Sequence, residues 1–199
     1  VGHARFFVAN RAHHVDVGGL TPGSMPPGSR SLTDEGLVFR RFPLVHLGKF
    51  AVPDLRGCRE PETVRLDLEA QVAANEAAAR GLVALGSPGE LTCWMHALVA
   101  AVQQAVTARL PTLRGEAEDT LDGVRLHVRI NAGHFDFSGT GGPHPGNLNA
   151  PVAVVRAAVL YALRVVVGLA LPLNEGVLRA VRLTIPPGSI LDPPPGAAV

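Results

Sequence analysis

Cysteine, aromatic side chains and unbalanced charge are all scarce in this 199-residue sequence. The two cysteines, Cys58 and Cys93, form no CxxC pair, which excludes a disulfide framework and a cysteine-based zinc knuckle. Lysine and arginine number 18 against 17 acidic residues, so no basic field indicates nucleic acid or a membrane surface as a partner. No apolar run reaches the roughly 18 residues that span a bilayer. We therefore expect a cytoplasmic protein.

The composition predicts a globular chain with an aliphatic core. Hydrophobic residues make up 47% of the sequence and aromatic residues only 5%, so Ala, Val and Leu must fill the interior. The length suits one domain, assigned here to residues 1–199. The sequence begins at Val1 without a signal-peptide pattern and ends in a proline-rich stretch. We expect an internal fragment of a longer polypeptide, truncated at both ends.

Periodicity predicts an α+β fold, with an antiparallel or mixed sheet, a helical hairpin and a further packed helix. Short apolar runs predict strands at 5–9 and 37–39, on either side of a Gly/Pro-rich loop at 16–36. Helices are expected at about 62–85 and 88–109. The second of these begins with a capping box formed by the sequence Ser87-Pro88-Gly89-Glu90.

The second half of the chain predicts a strand meander followed by a helix. The expected strands lie at about 116–121, 124–130 and 133–137, joined by turns at Asp122-Gly123 and at Asn131-Ala132-Gly133. Apolar residues alternate along the middle strand with Arg125, His127 and Arg129, which predicts one buried and one solvent-facing side. A helix at about 151–167, with Asn149 as its N-cap, and a strand at 181–185 complete the prediction.

A histidine pair and a carboxylate lie close together near the start of the chain. His13, His14 and Asp16 follow the first apolar run, and imidazole and carboxylate are the usual ligands of zinc, manganese or iron. In an extended segment His14 and Asp16 share one side, so both could bind one ion while His13 points elsewhere or orients a ligand. The alternative is a loop in which the histidines bond backbone carbonyls and Asp16 caps a turn.

A row of short polar side chains marks one side of the first long helix. Asp67, Gln71 and Asn75 occupy positions i, i+4 and i+8. They are candidates for a substrate pocket, and the alternative is a solvated helix face. That alternative is weakened because a solvated face usually carries Lys and Glu.

Two loops of the second half offer weaker candidates for substrate binding. The sequence from Asp136 to His144 leaves a strand in a Gly-rich turn, with Asp136 and Thr140 as the candidates. Closely spaced backbone N–H groups can bind an anion there, although a tight chain reversal is the favoured explanation of the glycines. The sequence Asn147–Pro151 opens a helix, where Asn149 could contact a ligand or serve as an ordinary cap.

These segments together resemble the hydantoinase B/5-oxoprolinase family. The matching runs occur in the family's order and cover nearly the whole chain: Phe7–Gly19, Pro22–Pro27, Asp67–Asn75, Asp136–Thr140, Asn147–Pro151, Pro172–Gly176 and Ile185–Pro193. Gly146–Asn149 and Pro172–Gly176 are most similar to the 5-oxoprolinase branch.

The resemblance implies ATP-dependent opening of a cyclic amide, with 5-oxo-L-proline converted to L-glutamate. In the family, a hydantoinase A-type subunit or domain binds ATP with magnesium and phosphorylates the amide oxygen. The B-type region, resembled here, carries a divalent metal and completes hydrolysis. A histidine of the family's His-His-x-Asp motif binds that metal, which corresponds to His13 or His14, with Asp16 as a ligand or an orienting group.

Two departures and several alternatives accompany this resemblance. The family's remaining metal ligands come from a motif that would precede Val1, and the ATP-binding region is absent, so we expect half a metal site and no activity from the fragment alone. The same region would suit a hydantoinase or an acetone-carboxylase-like subunit. It would also suit an inactive scaffold that docks on an A-type partner, and an oligomer is expected in each case.

Overall fold

The structure is a computed structural model that describes residues 6–23, 25–168, 170 and 172–199. It has the mixed helix-and-sheet composition that the sequence predicts, so the α+β fold class is confirmed. The chain divides into two compact units. The first comprises the described residues up to Leu91 together with Ala198, and the second comprises Thr92–Ala197 together with Val199.

The first unit is organised along one long helix. A short helix α1 (Leu32–Glu35) and a two-stranded ribbon, β1 (Val45–His46) with β2 (Lys49–Phe50), precede α2 (Pro61–Leu85). Proline suits the first turn of α2 because the N–H it lacks would have no partner there. The helix ends before Gly86, close to the predicted boundary. Its buried side chains, Val64 and Leu68, pack with Leu55 to form a small apolar cluster.

Neither strand predicted around the Gly/Pro-rich loop is formed. Residues 6–9 and 37–39 adopt no regular structure, while residue 5 lies outside the described part of the chain. The Phe7 side chain is 90% exposed, so the first apolar run is not a buried strand. A bridge between Gly18 and Gly36 closes the loop instead, supported by a 2.8 Å hydrogen bond from Leu37 N to Val17 O. The prediction failed because an apolar run becomes a strand only where another strand pairs with it.

Close backbone contact explains the glycine at position 18. Its φ of +83° lies in the left-handed region, and a Cβ added there would lie 2.5 Å from the carbonyl oxygen of Gly57. The loop therefore packs backbone against backbone beside the segment that leads into α2.

A buried carboxylate joins this loop to the start of α2. Asp16 is 4% exposed, and its Oδ1 accepts hydrogen bonds from Gly18 N (3.1 Å) and Arg59 Nη1 (2.8 Å). Its Oδ2 accepts from the backbone N–H groups of Arg59 and Glu60, the residues just before the helix. Burial opposes ionisation, but the N–H donors of Gly18, Arg59 and Glu60 outweigh it and lower the pKa of Asp16 to about 2.

The second unit is a four-stranded sheet with helices. Most of α3 (Pro88–Thr107) belongs to it, and a short 3-10 turn leads into the sheet. The strand order is β3 (Arg114–Leu121), β4 (Val124–Asn131), β5 (His134–Asp136) and β6 (Arg182–Thr184). The first three strands are antiparallel and β6 runs parallel to β5. The remaining helices are α4 (Val152–Val167) and α5 (Gly176–Arg179).

The sequence predicted most of these elements correctly. The predicted capping box is present, because Ser87 N donates to Glu90 Oε2 at 3.0 Å and Glu90 N donates to Ser87 Oγ at 3.4 Å. The meander turns as predicted, with Asp122 and Gly123 both at positive φ. Within the described ranges, no helix combines the length and apolarity needed to cross a membrane. The core of the unit is aliphatic except for one aromatic ring: Val102, Val106, Leu110, Phe135, Val159, Leu163 and Val177.

One residue of the solvent-facing side of β4 was predicted incorrectly. His127 is only 8% exposed, whereas Arg125 and Arg129 are exposed as expected. The imidazole is buried because both of its nitrogens have acceptors nearby: Ser138 O lies 2.5 Å from Nδ1, and Glu116 Oε1 lies 2.8 Å from Nε2. A histidine with partners on both nitrogens tolerates burial that an unpaired one would not.

Replacement of Gly18 and of Gly81 by alanine should change the free energy of unfolding in opposite directions. Gly18→Ala is expected to lower the free energy of unfolding by on the order of 2 kcal/mol or more, because it adds left-handed strain and a backbone clash. Gly81 lies inside α2 with open space around it, and Gly81→Ala should stabilise the protein by about 0.5–1 kcal/mol. Urea denaturation followed by circular dichroism measures both free energies of unfolding. A change of the same sign in both variants would contradict the different roles given to Gly18 and Gly81.

The Asp16 network predicts a specific response to acid. A lowered pKa in the folded state contributes stability that is complete above the ordinary value of 3.8 and is lost as the pH falls toward about 2. Asp16→Asn should therefore destabilise the protein at neutral pH, and the difference from the unmodified protein should shrink across that window.

Asp54 provides the matched control for this experiment. Its pKa is also about 2, because the Arg56 side chain donates hydrogen bonds to it, but both side chains are largely exposed. Asp54→Asn should change stability little, because an exposed ion pair contributes little. Urea midpoints from neutral pH down to acid compare the two variants, and equal effects would contradict the role given to Asp16.

Candidate functional site

The structure brings the histidine motif and the polar row of α2 together. His14 Nδ1 lies 3.2 Å from Asp67 Oδ2, and the His14 side chain is 16% exposed. This nitrogen is buried and has no hydrogen bond of regular geometry among the described residues. Two candidate groups that lie 53 positions apart in the sequence thus form one imidazole–carboxylate pair.

The other two members of the row hold the chain just before the histidines. Asn10 Nδ2 donates to Gln71 O at 2.7 Å and to Asn75 Oδ1 at 3.0 Å, while Gln71 Nε2 donates to Asn10 Oδ1 at 2.9 Å. Asp67 and Asn75 lie eight residues apart, or about 12 Å along the helix axis. The row therefore anchors an extended segment of the chain along α2. Whether any of these side chains also contacts a substrate stays a prediction.

The three residues of the motif take different positions. His13 is exposed, His14 faces Asp67, and both oxygens of Asp16 accept hydrogen bonds from Gly18, Arg59 and Glu60. A ligand role for Asp16 would require these contacts to be given up. Joint binding of one ion by His14 and Asp16 therefore stays a prediction.

The donor chemistry fits part of a metal site. An imidazole that faces a carboxylate through Nδ1 presents Nε2 outward, which is how most metal-binding histidines are oriented. Across the described residues, however, no three His, Cys, Asp or Glu side chains lie close enough to hold an ion. His14 and Asp67 are thus a partial donor set, and a complete site requires donors from elsewhere.

In the second unit, Asp136 and Thr140 stabilise their own loop. Asp136 Oδ1 accepts from Ser138 N at 2.9 Å, and the hydroxyl and N–H of Ser138 lower the pKa of the Asp136 carboxyl. The Thr140 hydroxyl accepts from His127 N and donates to His127 O, each at 3.1 Å. The loop after β5 is therefore hydrogen-bonded to β4. Substrate binding by Asp136 and Thr140 stays a prediction.

Asn149 does not cap α4, contrary to expectation. The helix has Pro151 at its N-cap position and no side-chain cap bond. The amide of Asn149 instead accepts from His144 N at 2.8 Å and donates to the carbonyls of His144 and Gly146. Asn149 is 5% exposed, so this buried amide organises the preceding loop. Its role toward a substrate also stays a prediction.

Three residues that matter to these sites were missed in the sequence. Asn10 precedes His14 by four residues, the step that also separates the members of the α2 row, and this spacing was the one available signal. Nothing local indicates that Arg59 pairs with Asp16, since 43 positions separate them. His127 was assigned to solvent because the alternation of β4 was the only guide.

Comparisons with known proteins agree with this architecture. A family model described as hydantoinase B/oxoprolinase matches residues 1–199. The chain is 34% identical to 5-oxoprolinase 1 of Arabidopsis thaliana, over 100% of this chain and 19% of that protein. It is 35% identical to 5-oxoprolinase of Saccharomyces cerevisiae, over 100% of this chain and 18% of that protein. The chain thus spans about a fifth of the length of these relatives.

A solved structure has the same fold. The ATP-dependent caprolactamase from Pseudomonas jessenii superposes with a TM-score of 0.67 at 22% identity, covering 89% of this chain and 34% of that one. Together with the match of the family model along the entire sequence, the helix-anchored histidine segment and the sheet unit identify the chain as a member of the hydantoinase B/oxoprolinase family.

Proposed function

We propose that this chain is part of an ATP-dependent cyclic-amide hydrolase that converts 5-oxo-L-proline to L-glutamate. The observation that carries the proposal is the pairing of His14 with Asp67, because it orients the imidazole of the family's His-His-x-Asp motif. The relatives named 5-oxoprolinase, at 34% and 35% identity, support the choice of substrate.

The reaction divides into activation and hydrolysis. A lactam carbonyl is a poor electrophile, and transfer of a phosphoryl group from ATP to the amide oxygen makes the ring carbon open to attack by water. We assign ATP and magnesium to a hydantoinase A-type domain or subunit and the second step to the region described here. An oligomeric, cytoplasmic enzyme is the setting we propose.

The chain's contribution to the second step is to hold and orient one imidazole. Zinc, manganese or iron would suit His14 Nε2, and Asp67 would keep Nδ1 protonated and the ring fixed. When bound, such an ion supplies Lewis acidity and lowers the pKa of a coordinated water. Asn10 supports His14 by bonding to Gln71 of α2, which keeps the segment before the histidines in place. Asp16 fixes the following turn.

The deciding experiment is ATP-dependent release of glutamate from 5-oxoproline by the complete polypeptide, with any A-type partner co-expressed. Turnover that requires ATP and is abolished by a chelator supports the proposal. A second outcome is folded, metal-loaded protein that leaves 5-oxoproline intact and opens a hydantoin or a larger lactam. That result would show that the substrate is a different cyclic amide of the kind the family uses. Fixation of bicarbonate would indicate carboxylase chemistry instead.

The two adjacent histidines should behave differently when replaced. In the complete protein, His14→Ala should lower metal content and turnover together, by on the order of 100-fold or more. His13→Ala is the control, because this side chain is exposed, and it should leave both near the unmodified values. Metal analysis and glutamate release measure the two effects. Full metal and turnover in His14→Ala would refute the assignment.

Removing the charge of Asp67 should weaken the site without unfolding the helix. Asp67→Asn is expected to lower metal affinity by about 10–100-fold, the usual effect of losing a carboxylate that orients a histidine ligand. Glu76→Gln, which removes a charge from an exposed position of the same helix whose ion-pair partner is Arg80, is the matched control. Metal titration gives the affinities and circular dichroism the helix content. Equal affinities in both variants would contradict the role of Asp67.

A further inference from the structure

The outer edge of the sheet in the second unit is open. β3 is the first strand in the order, and within the described residues no strand pairs with its outer side. All eight of its residues, from Arg114 to Leu121, are exposed. Every second residue of such an edge directs its N–H and C=O away from the sheet, and proteins usually shorten, cover or pair edges of this kind. An eight-residue edge is long for a strand left unpaired.

An apolar groove runs beside this edge. It has a volume of about 290 Å³, and its lining includes Ala117, Leu126, Val128, Phe137 and Leu191. The groove lies on the side of the sheet where apolar residues alternate along β4, and Leu121 at the end of β3 leaves 40% of its surface exposed. Side chains from a strand added next to β3 would reach this groove.

One carboxylate at the groove has no cation to match it. Glu116 is bridged to Arg129 and Glu118 to Arg125, so β4 neutralises both of these acids. Asp119 also lines the groove, and its Oδ1 accepts a hydrogen bond from Thr120 N at 2.8 Å. Among the described residues it forms no ion pair. Asp119 is exposed, but a strand that covered the groove would bury it beside apolar side chains, where a carboxylate requires a cationic partner.

The charge pattern disfavours a second copy that pairs along most of β3. Antiparallel pairing of β3 with itself centred on Glu118 would place the Glu118 side chains of the two copies opposite each other. Centring the pairing on Ala117 would place Glu116 opposite Glu118. Like charges directly opposite each other destabilise a strand pair. A strand with basic and apolar residues would place no like charges opposite the acidic residues of β3.

We propose that β3 pairs with a β-strand from the part of the parent polypeptide outside residues 1–199, and that this strand places a cationic side chain beside Asp119 and apolar side chains in the groove. The relatives supply the necessary length, because this chain corresponds to only 18–19% of theirs. Backbone hydrogen bonds would bind the strand, and the alternating side chains would set its register.

Hydrogen–deuterium exchange on the complete polypeptide tests the pairing. The outward-facing amides of residues 114–121 should exchange at least about 100-fold more slowly than unpaired amides, because a paired edge opens only with the sheet. Asp119→Lys should restore fast exchange in this peptide, whereas Asp119→Glu, which keeps the charge, should preserve the protection. Exchange in the peptide that contains α4 serves as a folding control for each variant.

Three outcomes would overturn the proposal. Fast exchange of the β3 amides in the unmodified complete protein would mean that the edge is open. Protection that is lost on dilution would identify a second copy as the occupant. Protection that persists in Asp119→Lys would show that the paired strand places no cationic side chain beside Asp119. None of these readings depends on turnover, so the result stands apart from that of the activity assay.

Discussion

The hydrogen-bonded carboxylate of Asp16 is the contact on which the arrangement of the first unit depends. It joins the turn at Gly18 to the two backbone N–H groups that precede α2, and the Arg59 guanidinium also donates to the carbonyl of Gly19. A buried charge is tolerated only when its hydrogen bonds are satisfied, and here each oxygen has two donors. With this turn fixed, the residues before it lie along the helix, so His14 faces Asp67 and Asn10 contacts Gln71.

The same contact explains why neighbours in the motif act at different places. Asp16 bonds to Glu60 N, whereas His14 faces Asp67, and these two helix positions lie about 10 Å apart along the axis. Residues that are close in sequence therefore contact different positions along α2. One carboxylate of the motif stabilises the fold, and a carboxylate from the helix takes its place beside the imidazole.

The sequence predicted the elements that are stabilised by nearby residues. It did not predict contacts between residues that lie far apart in the chain. The boundaries of α2 follow from Pro61 and Gly86, and the hairpin between β3 and β4 follows from Asp122-Gly123, because these signals act within a few residues. The strand expected at 5–9 depended on a partner that an apolar run does not specify. The burial of His127 likewise depended on Ser138 and Glu116, which supply acceptors from other segments. Of the candidate site, the contact between His14 and Asp67 was not predicted, because it joins segments 53 positions apart.

Each unit contains a group of polar atoms that has only some of the partners it could bind. In the first, His14 and Asp67 supply one imidazole and one carboxylate where a metal ion generally takes at least three protein ligands. In the second, β3 presents backbone groups and one carboxylate that β4 leaves unmatched. The buried Nδ1 of His14 lacks a hydrogen bond of regular geometry among the described residues, which costs free energy, whereas the exposed polar groups of β3 face solvent until a strand covers them. Relatives about five times as long as this chain contain enough polypeptide to supply both sets of partners, so the donors and the strand can come from one source.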